Sequence, residues 1–167
     1  AIRRINALGG IVDISQLSEQ AALQAMTVST TPVIASHSNA RALTNVSRNL
    51  SDEELDAIAA TGGVVHIAPF AGYLFDSSDP KLDAAIRSVR RNAGIDEDYL
   101  YPFELYWEIK DAAIKTEFLT AVRGLLGPID LDTMLDHLDY VAKRIGVDHV
   151  GIGTDFNHGS GIDGYQD

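Results

Sequence analysis

Short apolar runs that alternate with helix-forming stretches constrain the fold of this chain most. Four runs are rich in β-branched residues and only a few residues long: GGIVDIS, PVIASH, GGVVHIA and DHVGIGTD, at 9–15, 32–37, 62–68 and 148–155. Between them lie helical patterns, one of which begins at Ser51 with the capping-box spacing to Glu54. The resulting order, β-α-β-α-β, a long interval, then α-β, predicts an α/β fold with a parallel sheet covered on both faces, either open or closed into a barrel.

The interval of about 70–128 is too long for a simple connection between a strand and a helix. It contains two further predicted helices, at 79–94 and 102–127. An aromatic patch lies between and within them: Tyr99, Tyr101, Phe103, Tyr106 and Trp107. We interpret the interval as an inserted helical excursion. It either covers a site or only packs and mediates an oligomer contact, and the pattern alone favours the second alternative.

Charge and composition limit the partners of the chain. Its 167 residues suit a single domain, and 13 Lys and Arg against 24 Asp and Glu give a net charge of −11. This charge disfavours nucleic acid and anionic membranes, because phosphates would be repelled. A small molecule or a metal cation fits better. The chain has no cysteine, so a metal would be held by His, carboxylate or amide oxygen. No apolar run approaches the roughly 20 residues of a membrane span.

Polar residues follow the predicted strands at their C-terminal ends. Gln16, His37 and Asp155 follow the first, second and fourth strands, and His66 lies in the third. Ligands of parallel α/β folds bind at this edge, so we expect these side chains to share one rim. A His and a carboxylate there suit metal binding or proton transfer. The alternative is that His37 is structural and that His66 faces a helix.

The residues near this rim include two glycines and an arginine that each have two interpretations, and three histidines for which the sequence indicates little functional role. Gly151 and Gly153 precede Asp155 on one face of the strand, and leave room for a ligand or pack tightly inside a barrel. Arg48 suits an anionic substrate group, or it pairs with an acid at 52–54. The remaining histidines carry little weight or lie in a predicted loop: His137, His149 and His158.

The segments IVDISQLS, PVIASHSNARAL, SRNLSDEEL with GGVV, and YVAKRIGVDHVGIGTDF resemble, in this order, the membrane dipeptidase family of zinc peptidases. The resemblance covers about residues 9–70 and 130–157. It implies part of a TIM-like (β/α)8 barrel of the metal-dependent hydrolase type, with a two-zinc centre at its C-terminal face. It also implies hydrolysis of dipeptides by a metal-bound water.

The resemblance assigns roles to four residues. It implies that His37 is a zinc ligand, that Arg48 binds the substrate carboxylate and that Asp155 is the catalytic acidic residue beside the reacting centre. Gln16 stands where the family has a second zinc-binding His, and an amide is a poorer ligand for zinc. One or two zinc ions are therefore expected. The family's Asp-Phe-Asp-Gly is also altered here, to Asp155-Phe156-Asn157-His158.

The resemblance further implies that residues 1–167 are the C-terminal portion of one catalytic barrel domain. The family's His-x-Asp pair and bridging carboxylate are not in this sequence, and a whole barrel takes about 250 residues. We therefore expect this portion alone to be inactive. Two alternatives to a zinc dipeptidase remain, a one-metal hydrolase of another small amide or ester and a catalytically impaired binding protein. A homo-oligomer stays open, and nothing indicates a compartment.

Overall fold

A four-stranded parallel sheet organises the computed structural model, which describes residues 1–76, 78–155 and 162. Its strands are β1 (Val12–Asp13), β2 (Val33–Ala35), β3 (Val64–Ile67) and β4 (Val150–Ile152), and they lie side by side in chain order. Every neighbouring pair is parallel. The predicted α/β class and parallel sheet are confirmed, although each strand is shorter than its apolar run.

Seven helices connect or flank these strands within the described residues: α1 Ile2–Ala7, α2 Glu19–Val28, α3 Asp52–Ala60, α4 Ala71–Leu74, α5 Pro80–Asn92, α6 Ala112–Leu126 and α7 Leu131–Ile145. Helix α1 was not predicted from the sequence. Two 3-10 turns, Tyr106–Glu108 and Val147–His149, complete the order. In residues 1–76 and 78–155, no helix has the length and apolar character needed to cross a membrane.

Local capping sets the helix boundaries. The Ser51 hydroxyl accepts from the Glu54 N–H at 3.3 Å, and the Glu54 carboxylate accepts from the Ser51 N–H at 2.8 Å, so the predicted capping box is present. The predicted helix over 102–127 is wrong in its first part. Helix α6 starts at Ala112 because the Asp111 carboxylate caps it, and residue Leu105 has a left-handed φ of 67° that no helix continues through.

The two faces of the sheet differ in character. Val65 and Ile67 of β3 are fully buried on the face that helices α3 and α7 cover. The opposite face is not covered in the same way, because Asp13 is exposed there and Ser36 and His66 are only partly buried. This second face also carries Ile34 and Val64, so apolar and polar side chains alternate with depth along it.

Candidate functional site

The ends of β1 and β2 bring two polar side chains into contact. All the strands are parallel, so their C-terminal ends meet at one edge, where Gln16 follows β1 and His37 follows β2. Gln16 Nε2 lies 3.3 Å from His37 Nε2. Gln16 has a left-handed φ of 69°, so the chain turns sharply immediately after β1. The structure therefore places both residues at the rim and within contact distance of each other.

Backbone hydrogen bonds fix the position of His37. Its N–H donates to the Ser15 hydroxyl at 3.0 Å, and the hydroxyls of Ser15 and Ser38 lie 3.1 Å apart. The Nδ1 atom of His37 is buried and has no hydrogen-bond partner among the described residues. One ring nitrogen thus faces Gln16, and the other is buried.

Asp13 is a rim residue that the sequence reasoning missed. Its carboxylate accepts from the Ser36 hydroxyl at 2.6 Å and from the Ser36 N–H at 3.2 Å. Burial alone would raise the pKa of Asp13, but the hydrogen bonds from Ser36 and Ser15, together with the nearby charge of His37, lower this pKa below its ordinary value. An ionised carboxylate therefore lies beside His37. In the sequence, Asp13 stands between the apolar residues Val12 and Ile14, and this alternation indicates that its side chain lies on the opposite face of the strand from theirs.

The glycines of β4 are explained by tight packing. A Cβ at Gly151 would lie 2.9 Å from His66 Cδ2, and one at Gly153 would lie 2.3 Å from the Ser36 carbonyl oxygen. The space above both glycines is filled by β2 and β3. His66 accordingly lies on the face opposite Val65 and Ile67, with Nδ1 3.2 Å from the Ala35 carbonyl, and does not face a helix.

Arg48 lies in the loop between β2 and α3. Its Nε atom is buried and has no hydrogen-bond partner in the described part of the chain. Two of the acids at 52–54, which were the alternative partners of Arg48, pair with other arginines: Glu54 lies 3.5 Å from Arg41, and Asp52 lies 2.9 Å from Arg144. Arg48 is partly buried, and its alternative pairing with an acid at 52–54 is not found among the described residues.

Two tyrosines of the excursion lie within electrostatic range of Arg48 and Asp155. Burial raises the pKa of Tyr73 to about 12, with Arg48 lowering it and Asp155 raising it. Burial also raises the pKa of Tyr101, on which Glu104, Arg48 and Asp155 act as well. Both phenols therefore stay protonated at neutral pH, within electrostatic range of the arginine and the aspartate. The sequence reasoning missed both tyrosines as rim residues.

Two buried side chains hold the loop that carries His37 and Arg48. Asn39 donates to the Ala68 carbonyl at 3.0 Å and accepts from the Ala68 N–H at 2.8 Å, which continues the sheet pairing beyond β2 and β3. His137 of α7 accepts from the Ala40 N–H at 3.1 Å, so its Nε2–H donates to the Thr44 hydroxyl at 3.2 Å. Burial lowers the pKa of His137 to about 4, and its imidazole is neutral. His137, which had little weight from sequence, anchors this loop.

The described residues do not complete a metal site by themselves. Among them, no three His, Cys, Asp or Glu side chains are grouped closely enough to hold an ion. Catalytic zinc sites use three protein ligands, whereas this rim brings one imidazole and one amide together. The 3.3 Å contact is a hydrogen bond that involves the Gln16 amide nitrogen, so Gln16 would have to turn its Oε1 toward a metal to act as a ligand. His158 lies outside the described residues.

Comparison with known proteins identifies relatives over nearly the whole chain. The probable dipeptidase PvdM from Pseudomonas aeruginosa has a similar structure, with a TM-score of 0.73 and 35% identity over 99% of this chain and 43% of that one. Dipeptidase AC, a metallo peptidase of family M19, matches with a TM-score of 0.66 and 25% identity, over 99% of this chain and 36% of its own. The dipeptidase tcpJ of Claviceps purpurea is 28% identical over 93% of this chain and 25% of its own length.

This chain therefore spans between a quarter and less than half of these relatives. Their fold is the TIM-like barrel, which confirms the predicted fold class and makes the four parallel strands part of such a barrel. The family described as membrane dipeptidase, peptidase family M19, matches residues 1–167. The resemblance seen in the sequence is thus confirmed, and the chain belongs to the membrane dipeptidase family.

Proposed function

We propose that this chain supplies the substrate-carboxylate side, and part of the metal side, of a metal-dependent dipeptidase. The observation that carries this proposal is the setting of Arg48. Its guanidinium has a buried Nε without a partner among the described residues, and it acts together with Asp155 on the Tyr73 hydroxyl in a chain of the dipeptidase family. A partly buried arginine whose Nε has no hydrogen-bond partner among the described residues is suited to bind the carboxylate of a ligand.

In this proposal each residue has a separate task. Arg48 binds the C-terminal carboxylate of a dipeptide and so orients the peptide bond toward the rim. Asp155, which follows β4 and acts with Arg48 on the hydroxyl of Tyr73, is the acidic group that accepts or returns a proton at the scissile amide. His37 is a metal ligand, and the ionised Asp13 lies beside it.

Zinc is the metal proposed, because imidazole and carboxylate donors suit it and the chain has no cysteine. When bound, zinc supplies an activated water for the hydrolysis. Residues 1–167 would then be one portion of a single barrel domain, with 70–128 inserted as a helical excursion that carries α4, α5 and α6.

Gln16 favours a second candidate function. An amide in contact with His37 brings no charge to offset a cation, so a site that includes it holds metal more weakly than one with two histidines. The second candidate is accordingly a one-metal hydrolase of another small amide or ester, or a binding protein with impaired catalysis.

Metal content and hydrolysis, measured together on the full-length protein, distinguish these functions. A dipeptidase should bind at least one zinc per chain and hydrolyse free dipeptides, and both properties should be lost on chelation and return with zinc. Hydrolysis of small esters or acyl amides without dipeptide hydrolysis would instead support the one-metal alternative. Dipeptide binding without turnover, in zinc-loaded protein, would support the impaired binding protein.

A further inference from the structure

Residues 95–105, the loop that follows α5, are folded around one buried arginine. Arg90 is fully buried, and its guanidinium donates to four carbonyl oxygens of this loop, those of Asp96 at 2.7 Å, Asp98 at 3.4 Å, Pro102 at 3.2 Å and Glu104 at 2.6 Å. The ring of Tyr99 lies 5.3 Å from its Cζ atom. The planar, five-donor guanidinium fixes several main-chain groups at once, so this loop is preformed.

The middle of this loop docks on α4. The Tyr101 side chain is buried, and its ring centroid lies 5.4 Å from that of Phe70 and 6.2 Å from that of Tyr73, both nearly edge-on. A Cβ at Gly72 would lie 2.7 Å from Phe70 Cε1 and 3.2 Å from Tyr101 Cβ, so the close approach requires glycine there. Such aromatic contacts hold Tyr101 in one position.

Helix α4 is in turn tied to the loop that carries Arg48. The Asn49 amide donates to the Tyr73 carbonyl at 2.7 Å and to the Thr44 carbonyl at 2.9 Å. Arg48 and Asp155 both act electrostatically on the hydroxyl of Tyr101. The 95–105 loop therefore reaches the rim at its Arg48 end, so this part of the excursion does more than pack against its own helices.

We propose that Tyr101 is a specificity-determining residue, which forms a wall at the Arg48 end of the site and limits the size of the substrate's C-terminal side chain. This inference rests on the proposed dipeptidase function. The C-terminal side chain leaves the carbon next to the carboxylate that Arg48 binds, so it projects into the space that this wall bounds. A preformed aromatic wall cannot withdraw easily, and it disfavours large side chains.

The ratio of kcat/KM for two dipeptides with the same N-terminal residue, one ending in Leu and one in Gly, tests this in the full-length protein. Tyr101→Leu should raise the Leu-to-Gly ratio about tenfold, mainly through KM, because pocket contacts of this size discriminate by about 10–200-fold. Tyr101→Phe keeps the ring and should change the ratio less than about threefold.

The matched control is Tyr99→Leu. It is the same substitution in the same loop, but the Tyr99 ring faces Arg90 and its hydroxyl donates to Asp83 at 2.7 Å. It should lower the melting temperature and leave the ratio unchanged. A wild-type ratio in well-folded Tyr101→Leu would overturn the proposal, and so would an equal shift in Tyr99→Leu.

Absence of hydrolysis in the wild-type protein would contradict the dipeptidase function without deciding the role of Tyr101. The same pair of dipeptides can then be compared by calorimetric binding. Tyr101→Leu should strengthen binding of the Leu-terminal dipeptide relative to the Gly-terminal one by a similar factor. An unchanged binding ratio would reject the wall.

Discussion

The two sides of this rim are built differently. On the β1–β2 side, Gln16 and His37 are in contact because each follows the end of one of two adjacent parallel strands. On the β4 side, Arg48 and Asp155 lie among tyrosines from the excursion. Among the described residues, the first side has one imidazole in contact with one amide, and these two groups alone do not make a metal site. The second side is lined by buried tyrosines of the chain itself, so the proposed substrate side is more complete in these residues than the proposed metal side.

The loop between β2 and α3 joins the two sides, because it follows His37 and carries Arg48. The loop is anchored by its own Asn39, which bonds to Ala68 beyond β3, and by His137 of α7. Damage to an anchor should therefore affect both sides, whereas a change to Arg48 or Gln16 should affect one side only.

The largest expected effect is the loss of the His137 anchor at acid pH. Burial lowers the pKa of His137 to about 4, and nearby Asp136 only partly opposes this. The unfolded chain binds a proton near pH 6.5 and the folded chain only near pH 4, so stability is full above pH 6.5 and falls as the pH decreases toward 4. A shift of this size corresponds to about 3 kcal/mol. Urea unfolding of metal-free, full-length protein between pH 7.5 and 4 measures it.

His137→Gln should flatten this pH dependence, and His149→Gln is the matched control. His149 lies at the start of β4, with Nδ1 2.7 Å from the Gly63 carbonyl, away from the anchored loop. If His137→Gln loses as much stability as the wild type between pH 6.5 and 4, the titration belongs to other groups.

The second largest effect is expected from a change at Arg48, which should alter substrate binding without loosening the anchored loop. Arg48→Ala should raise KM for free dipeptides about 100-fold with little change in kcat, because a charge-assisted contact to the substrate carboxylate is lost. Steady-state kinetics with free and C-terminally amidated dipeptides measures it, and the amidated substrates should be affected far less.

Arg87→Ala is the control for Arg48, because Arg87 pairs with Asp83 and Asp98 on the surface of the excursion. Its KM should match that of the wild type. An equal loss on free and amidated substrates in Arg48→Ala would show that Arg48 supports structure instead of binding a carboxylate.

The smallest effect concerns the β1–β2 side. Gln16→His should raise zinc affinity of the full-length protein about tenfold and move its metal content toward two per chain, because imidazole is a better zinc ligand than an amide. Metal analysis after dialysis against a mild chelator measures it. Gln24→His adds an exposed histidine on α2 and should change nothing. Two metals already retained by the unmodified protein would show that Gln16 does not weaken the site.

The sequence alone predicted the features that depend on neighbouring residues. Apolar runs and capping gave the parallel strand order and the start of α3, and strand ends located Gln16, His37 and Asp155 at one edge. Local patterns were insufficient at 102–110. The composition there is typical of a helix, but the helix begins only at Ala112, and Arg90 holds the preceding loop by donating to the Glu104 carbonyl. The metal, catalytic and substrate roles of these residues stay predictions.

Tertiary structure decided the rest, because the deciding contacts join residues far apart in the chain. His137 anchors Ala40 from 97 positions away, and nothing in its own helix indicates a buried neutral imidazole. The sequence left two explanations for Gly151 and Gly153, room for a ligand or tight packing, and the contacts with His66 and Ser36 decide for tight packing. The loop that carries Tyr101 is held by hydrogen bonds from Arg90 to the Pro102 and Glu104 carbonyls, which no local pattern in the sequence indicates. Periodicity and capping act within a few residues, whereas burial and partner choice are set by which segments fold together.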